Sequence, residues 1–351
     1  MGSTKKIGLI GRLDPECELF DGQTVKTRMM YRLLCELYGE ENVVVVETKD
    51  YRHNAPRVVA QTVRCLLTCR DVFVSLSRNG RKAFFPLLSF AARHLHTRVY
   101  HNLIGGWLAQ DLEECPKQAS YLNDFRVNWV ESHQLVGKLE ELGVGNAEFL
   151  PNFKYLDGTE LPESRYYGPG YRFCTFSRVQ ELKGIGDAMD IVEKLCSGGL
   201  DCWLDVYGPI DPSYKEEFET ALSRCVHVEY KGCVAPEKSV QAIASYDALL
   251  FPTKWKPEGL PGTIIDALAA GVPVIAAKWQ YYDEMLEDGV TGFGYGFGNN
   301  ELLADEIKKF IELGNEANEL RKGCLARAVA YSPEVVSGVV AAAVDGERLR
   351  D

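Results

Sequence analysis

Two acids and two cations in the second half of the chain have the types and spacing to hold an anionic, hydroxyl-bearing ligand. Glu258 stands beside Gly259 in the segment KWKPEGLPGTIIDALAAGVPVIAA (residues 254–277), and Asp266 follows eight positions later. The pattern predicts a loop over 253–259 that runs through Leu260 and Pro261 into a helix over 262–270. Pro261 suits the first turn of that helix, where a missing N–H costs nothing. The unpaired N–H groups of a helix start, at the positive end of its dipole, form an anion site. Gly259 allows the backbone an approach that a Cβ blocks. Asp266 looks away from Ile264 and Leu268, with Thr263 and Ala270 on its side, so Glu258 and Asp266 can flank one ligand. An acid near a helix start also stabilises the helix on its own account, and that reading of Glu258 stays open.

A second segment, FCTFSRVQELKGIGDAMDIVEKL (173–195), places Arg178 and Lys183 between a strand and a helix start, ahead of Gly184 and Gly186. A rigid guanidinium fork and an ammonium point charge together hold a diphosphate. Taken alone they are two solvated surface cations. YGPI (207–210), with Gly208, and KGCV (231–234), with Cys233 and Val234, follow two further strands. They offer backbone groups and an apolar side to a base, or they are simple turns.

Short β-rich runs alternate with helical patterns along the whole chain, which predicts an α/β protein with parallel sheets. In the first half the strands read as 6–10, 42–46, 72–76, 98–103, 126–130 and 147–149, with helices over 24–37, 57–68 and 81–93. A polar stretch after Pro151-Asn152-Phe153, reaching Gly170, reads as the linker. The second series has strands at 171–176, 200–206, 226–230, 248–251 and 273–276. Its helices fall at 186–195, 213–225, 237–245 and 262–270, and the chain closes with helices at 304–313 and 317–330 and a last one from Pro333. The expected domains are 1–160, 161–332 and a final helical segment, 333–351. Two open sheets facing across a cleft bind ligands beyond the carboxyl ends of their strands.

The 351 residues are comfortable for two domains, and 46 % apolar with 25 % charged residues fits a folded soluble chain. Eleven cysteines without a C-x-x-C pair point to reduced thiols in a cytoplasm. The start, MGSTKKIGLIGRL, lacks the apolar core of a signal peptide, and Lys6 stands where myristoylation wants Ser or Thr. No stretch of about 18 uncharged apolar residues is present, so no membrane span is expected. Net charge is −11, divided as +6 over residues 1–110 and −17 over 111–351. The basic part suits an anionic partner or membrane surface, or is a solvated face. An acidic chain without an aromatic–basic stripe argues against nucleic acid, and Gly8, Gly11 and Gly22 do not make the G-x-G-x-x-G of a dinucleotide site. His94-Leu95-His96 supplies two metal ligands at best, and there is no D-x-D triplet, so no metal site is expected.

In order, SRVQELKG, YGPI, VEYKGCV, FPTKWKPEGLPGTIIDALAAGVPVIA and DEMLEDGVTGFGY resemble glycosyltransferase family 4, the retaining nucleotide-sugar enzymes of the GT-B fold. DGQTVKT (21–27), IGGW (104–107) and LPNF (150–153) more loosely resemble its capsule and exopolysaccharide members. The resemblance implies two Rossmann-like domains facing across a cleft, 1–160 on the acceptor side and 161–332 on the donor side, with 333–351 crossing back. It gives Arg178 and Lys183 the donor diphosphate, Glu258 the donor sugar as first acid of the E-x7-E motif, and Gly259, Leu260 and Pro261 the backbone beneath sugar and phosphate. Asp266 takes the place of the second acid, which binds ribose hydroxyls; it keeps the charge and shortens the reach. Gly208, Cys233 and Val234 fall on the family's nucleotide side. Gly22, Gln23 and Thr24 resemble the first-domain loop that approaches donor phosphates or acceptor, Gly22 permitting a tight turn. Relatives place a histidine at a first-domain strand end, where this chain has Gly105-Gly106; His101, inside the strand, is the catalytic candidate, or a structural histidine.

The reaction so implied moves a hexose from a nucleoside diphosphate, a UDP-hexose on family breadth, to a saccharide or polyprenyl-diphosphate-linked saccharide. It needs no metal or other cofactor. The setting implied is the cytoplasm, with peripheral contact at the inner face of the plasma membrane. Alternatives are a nucleotide-sugar epimerase of the same architecture, a phosphorylase or sucrose-type synthase with a soluble acceptor, and a non-catalytic subunit that binds nucleotide-sugar for a partner enzyme.

Overall fold

Strand–helix alternation builds two separate parallel sheets in the computed structural model, which describes residues 6–16, 19, 21–49, 51, 53–155, 165–256 and 258–346. The expectations for the first five residues, for much of the linker, for Pro257 and for the tail after Gly346 lie outside the described residues. One compact unit comprises residues 1–153 and 332–351; the other comprises 154–331.

The first unit's strands are β1 (Ile7–Gly11), β2 (Val43–Glu47), β3 (Asp71–Ser75), β4 (Arg98–Asn102), β5 (Val127–Val130) and β6 (Ala147–Phe149), in the order β2-β1-β3-β4-β5-β6. All their pairings are parallel. The helices are α1 (Gly22–Tyr38), α2 (Ala55–Thr68), α3 (Arg78–His94), α4 (Leu108–Glu114), α5 (Lys117–Asn123) and α6 (His133–Glu141). Buried on both faces, the inner strands β1 and β3 read as near-continuous apolar runs, which is why their sequence positions held to within a residue or two. Val72 and Val74 point to the face covered by Val58, Cys65 and Leu66 of α2 and Phe84, Phe85 and Leu88 of α3. Phe73 points to the other face, where it stacks on Tyr100 with ring centroids 4.8 Å apart.

The second unit's strands are β7 (Tyr171–Phe176), β8 (Cys202–Tyr207), β9 (Val228–Gly232), β10 (Ala248–Phe251), β11 (Val274–Ala277) and β12 (Gly292–Tyr295), ordered β12-β11-β10-β7-β8-β9 and again parallel. Its helices are α7 (Ile185–Ser197), α8 (Lys215–Leu222), α9 (Ser239–Ile243), α10 (Gly262–Ala269), α11 (Tyr282–Met285), α12 (Leu303–Leu313) and α13 (Ala317–Ala328). The strand expected at 200–206 starts later, because Gly199 takes a φ of +95° and the Leu200 N–H returns to Leu195 O. The helix expected over 237–245 is a 3₁₀ turn, Pro236–Lys238, followed by the short α9.

The last helix, α14 (Pro333–Asp345), belongs to the first unit, where it packs on α1; Tyr100 Oη donates to Ala343 O at 3.4 Å. The helical run Asn300–Asp345 is long and apolar enough by length and composition alone to cross a membrane. It is broken, however, by turns at Gly314–Glu316 and Val329–Tyr331. Its most apolar piece, α14, has 13 residues, short of the roughly 20 a span needs, and Val336, Val340 and Val344 are buried. The ten cysteines among the described residues are all free thiols.

Candidate active site

In the second unit the strand order reverses between β7 and β10: β8 and β9 extend one way, β11 and β12 the other. Loops leaving adjacent strands on either side of such a reversal splay apart and leave a crevice at their carboxyl ends. The loop after β7 carries Arg178 and Lys183, and the loop after β10 carries Glu258, so the reversal brings together residues about 75 positions apart in sequence.

A glycine makes that approach possible. Gly184 has a φ of +68°, and a Cβ there lies 2.0 Å from Pro252 O. Only glycine fits both the left-handed backbone and the gap. The Lys254 N–H donates to Leu182 O at 2.9 Å, tying the two loops, and Lys254 Nζ reaches Asp187 at 2.8 Å. Lys183 Nζ then forms an ion pair with Glu258 Oε2, each side chain about 15 % exposed. Thr253 Oγ1 donates to the same carboxylate oxygen at 3.3 Å, and Lys183 Nζ stands 5.9 Å from the Phe251 ring centroid. The two groups expected to take a diphosphate and a sugar thus neutralise each other.

Arg178 is half exposed and only loosely paired, Nη1 to Asp211 Oδ2 at 3.9 Å. Its loop is fixed beneath it, with Val179 N donating to Pro209 O and Asp211 N donating to Val179 O, both at 2.9 Å. Gly208, at the end of β8, has a φ of +130° and sits where a Cβ lies 1.8 Å from Ser177 O. Tyr230 Oη donates to its carbonyl at 2.8 Å. Cys233 is exposed and Val234 half-buried just past β9.

Pro261 is the residue before α10 rather than its first turn, extended at φ −67° and ψ 128°, and no side chain caps the helix. The Gly259 carbonyl accepts from Trp279 Nε1 at 3.2 Å, and Leu260 is buried in the core beneath. Asp266 is buried too, with Oδ2 2.6 Å from Lys154 Nζ, which also reaches Ser239 Oγ at 3.4 Å. Among the described residues, Asp266 Oδ1 and Thr263 Oγ1, one turn apart on α10, are buried with no hydrogen-bond partner. Leaving such atoms unpaired costs about 1–3 kcal/mol each; a ligand hydroxyl can donate to Asp266 Oδ1, and Thr263 Oγ1 can donate to a ligand hydroxyl or phosphate oxygen. Lys154 escaped the sequence reading because its partner is 112 positions away; its only local signal is its place directly after LPNF.

In the first unit Gly22 is the first residue of α1 and not a turn residue: its φ is not left-handed and a Cβ meets nothing within 4 Å. This corrects the expected tight turn; Asp21 does the local work, capping α1 by accepting from Gln23 N at 3.1 Å and Thr24 N at 3.3 Å. Thr24 is buried, and its Oγ1 accepts from Arg12 Nε at 2.9 Å. Gln23 lines a cavity of about 330 Å³ with Arg12, Lys49, Tyr51, His53 and Phe84, at the β1/β3 strand reversal of this sheet. His101 is fully buried inside β4, with Nδ1 3.1 Å from Asn128 Oδ1 and its ring edge-on to Phe85. Burial, then nearby Arg81, pushes its pKa down to about 3, so it is a neutral core imidazole at ordinary pH. These contacts fit the structural alternative. His94 and His96 stand exposed at the end of α3, and among the described residues no group of three or more His, Cys, Asp or Glu is placed to hold a metal ion.

Residues 161–324 match the family model described as Glycosyl transferases group 1. Over 140 residues the chain is 25 % identical to the amylovoran biosynthesis glycosyltransferase AmsK of Erwinia amylovora, which covers 38 % of this chain and about a third, 34 %, of that relative. Among solved structures, Anabaena Alr3699/HepE in complex with UDP and glucose superposes with a TM-score of 0.74 at 15 % identity, covering 97 % of this chain and 100 % of the other. Sucrose-phosphate synthase from Thermosynechococcus elongatus gives 0.78 at 14 % identity, covering 97 % and 98 %. Likeness at this level of identity carries the fold: two Rossmann-like parallel-sheet units in one chain, the GT-B architecture.

Proposed function

We propose that the chain is a retaining hexosyltransferase that takes its sugar from a nucleoside diphosphate, UDP above others, with residues 161–332 as the donor side and 1–160 as the acceptor side. The observation that carries the reading is the Lys183–Glu258 pair at the strand reversal, next to the unpartnered atoms of Thr263 and Asp266 at the start of α10. In this reading Lys183 and Arg178 take the diphosphate, Glu258 is released to the sugar hydroxyls, and Asp266 offers Oδ1 to the ribose. Gly259, Leu260 and Pro261 lie beneath the sugar and phosphate, and Gly208, Cys233 and Val234 border the nucleotide.

As the bond from the anomeric carbon to the diphosphate breaks, negative charge gathers on the leaving oxygen. The two cations and the free N–H groups of α10 stabilise that charge without a metal. The acceptor hydroxyl attacks from the same face and passes its proton to the leaving phosphate oxygen. His101, buried in β4, takes no part. The acceptor is a saccharide or polyprenyl-diphosphate-linked saccharide of a surface polysaccharide, met at the inner face of the plasma membrane. The UDP assignment is supported by the UDP named in the HepE complex, and the polysaccharide assignment by AmsK.

The test is a thermal-shift and calorimetric panel of UDP, GDP, ADP and CMP and their sugar conjugates, with and without chelator. Selective stabilisation by UDP and one UDP-sugar, unchanged by chelator, is expected. No response to any nucleotide from folded protein refutes the donor site. A UDP-sugar turned over without acceptor to an isomer identifies the epimerase instead.

A further inference from the structure

Helix α2 turns a row of apolar side chains to solvent that the fold does not use. Its inner side, Val58, Thr62, Cys65 and Leu66, is buried. Val59, Val63 and Leu67, four residues apart, face outward and are 53 %, 40 % and 67 % exposed. Single exposed apolar residues are ordinary, but three in register on consecutive turns form a stripe. At about 100° per residue, Arg57 and Arg64 lie just beyond Leu67 and border that stripe. Among the described residues neither arginine has an ion-pair partner, and neither does Arg70.

Helix α3 covers the same face of the sheet, and exposed Phe90 and Leu95, 55 % and 42 %, flank Arg93 and His94 at its end. The Arg98 N–H donates to Arg70 O at 2.7 Å, so the segments that follow the two helices meet at the amino-terminal ends of the adjacent inner strands β3 and β4. Neither helix contains an acid. Residues 51–110 hold nine Lys and Arg against the single acid Asp71, which is buried and paired with Arg98, in a chain of net charge −11. An outward apolar stripe edged by arginines, on a stretch of sequence whose single acid is buried, matches the chemistry of an anionic bilayer interface.

We propose that α2 and the end of α3 dock on an anionic phospholipid surface, with Val59, Val63, Leu67 and Phe90 entering the headgroup boundary and Arg57, Arg64 and Arg70 meeting lipid phosphates. The inference rests on the membrane placement proposed above but shares no residue with the donor site, so the two fail separately.

The test is co-sedimentation of the full chain with vesicles of phosphatidylglycerol and phosphatidylcholine, and with vesicles of phosphatidylcholine alone, at low and high salt. Wild type is expected to sediment with the anionic vesicles only, and less at high salt. Arg57→Gln with Arg64→Gln weakens this about fivefold per arginine. Val59→Gln, Val63→Gln and Leu67→Gln together weaken it at least about tenfold. Both variants keep the wild-type melting temperature and UDP response, since every altered side chain is exposed. The proposal is overturned if wild type ignores the vesicles, binds neutral ones equally, or if either variant binds as wild type does. It is equally overturned if the apolar variant instead abolishes self-association in sedimentation velocity, which identifies the stripe as a protein interface. Vesicle binding without any nucleotide binding sinks the transferase reading and leaves this one standing.

Discussion

Replacing Lys183 and Glu258 separately gives opposite effects on nucleotide binding if the pair neutralises an empty site. In Lys183→Ala the diphosphate loses a charge-assisted contact worth about 1.5–3 kcal/mol. Wild type must first break the Lys183–Glu258 pair, which at some 15 % exposure of each side chain offsets about 1 kcal/mol of that. UDP affinity is therefore expected to fall about tenfold. Glu258→Gln removes the competitor and a negative charge beside the phosphates, so UDP is expected to bind about fivefold tighter while transfer collapses for want of the sugar contact. Isothermal titration of UDP into wild type, both single variants and the double variant completes a cycle, with transfer measured in parallel. If Glu258→Gln weakens UDP as much as Lys183→Ala does, the carboxylate positions the lysine and does not compete with the ligand. If Lys183→Ala leaves UDP affinity unchanged, the lysine is not on the diphosphate.

Arg178→Ala is expected to leave the unfolding free energy within about 0.5 kcal/mol of wild type, because its ion pair with Asp211 is loose, and to weaken UDP binding about tenfold in the same titration. Gly184→Ala is expected to cost more than about 3 kcal/mol in urea unfolding, since a left-handed backbone and a 2.0 Å clash coincide there. Lys154→Met leaves the Asp266 carboxylate buried and unpaired and is expected to cost about 3–5 kcal/mol, partly recovered by adding Asp266→Asn, read by the same unfolding. For His101 the folded pKa of about 3 lies below the ordinary value near 6.5, so as pH falls the unfolded chain takes up the proton first. That contribution to stability is complete above about pH 6.5 and is lost as pH falls toward 3, about 2 kcal/mol between pH 7.5 and 5. His101→Asn is expected to flatten this slope by that amount in urea melts at the two pH values.

The strands were legible in the sequence because parallel strands covered on both faces read as plain apolar runs, as Ile7–Gly11 and Asp71–Ser75 do. β12 was not, because Gly292–Tyr295 is four residues with two glycines, below any periodicity signal. The loop residues of the candidate site were legible by type: Arg178, Lys183 and Glu258 flank strand ends and helix starts. Their relation was not, since side-chain pairing depends on strand order, and no local pattern states that β10 lies beside β7. The same limit hid Lys154. The sequence also set His101 inside its strand, but only the packing of Phe85 and Asn128 around it shows how completely it is enclosed.

The return of α14 to the first unit sets an order for synthesis. A ribosome delivers β1 to β6 long before residues 333–345, so the side of Tyr100 that meets Ala343 stays wet while the second unit, continuous from 154 to 331, is made and closes on itself. Through that interval α1 lacks the cover of Val336, Val340 and Val344. A chain truncated before Ser332 therefore presents an intact second unit joined to a first unit with an apolar face open, the form that chaperones bind and proteases cut.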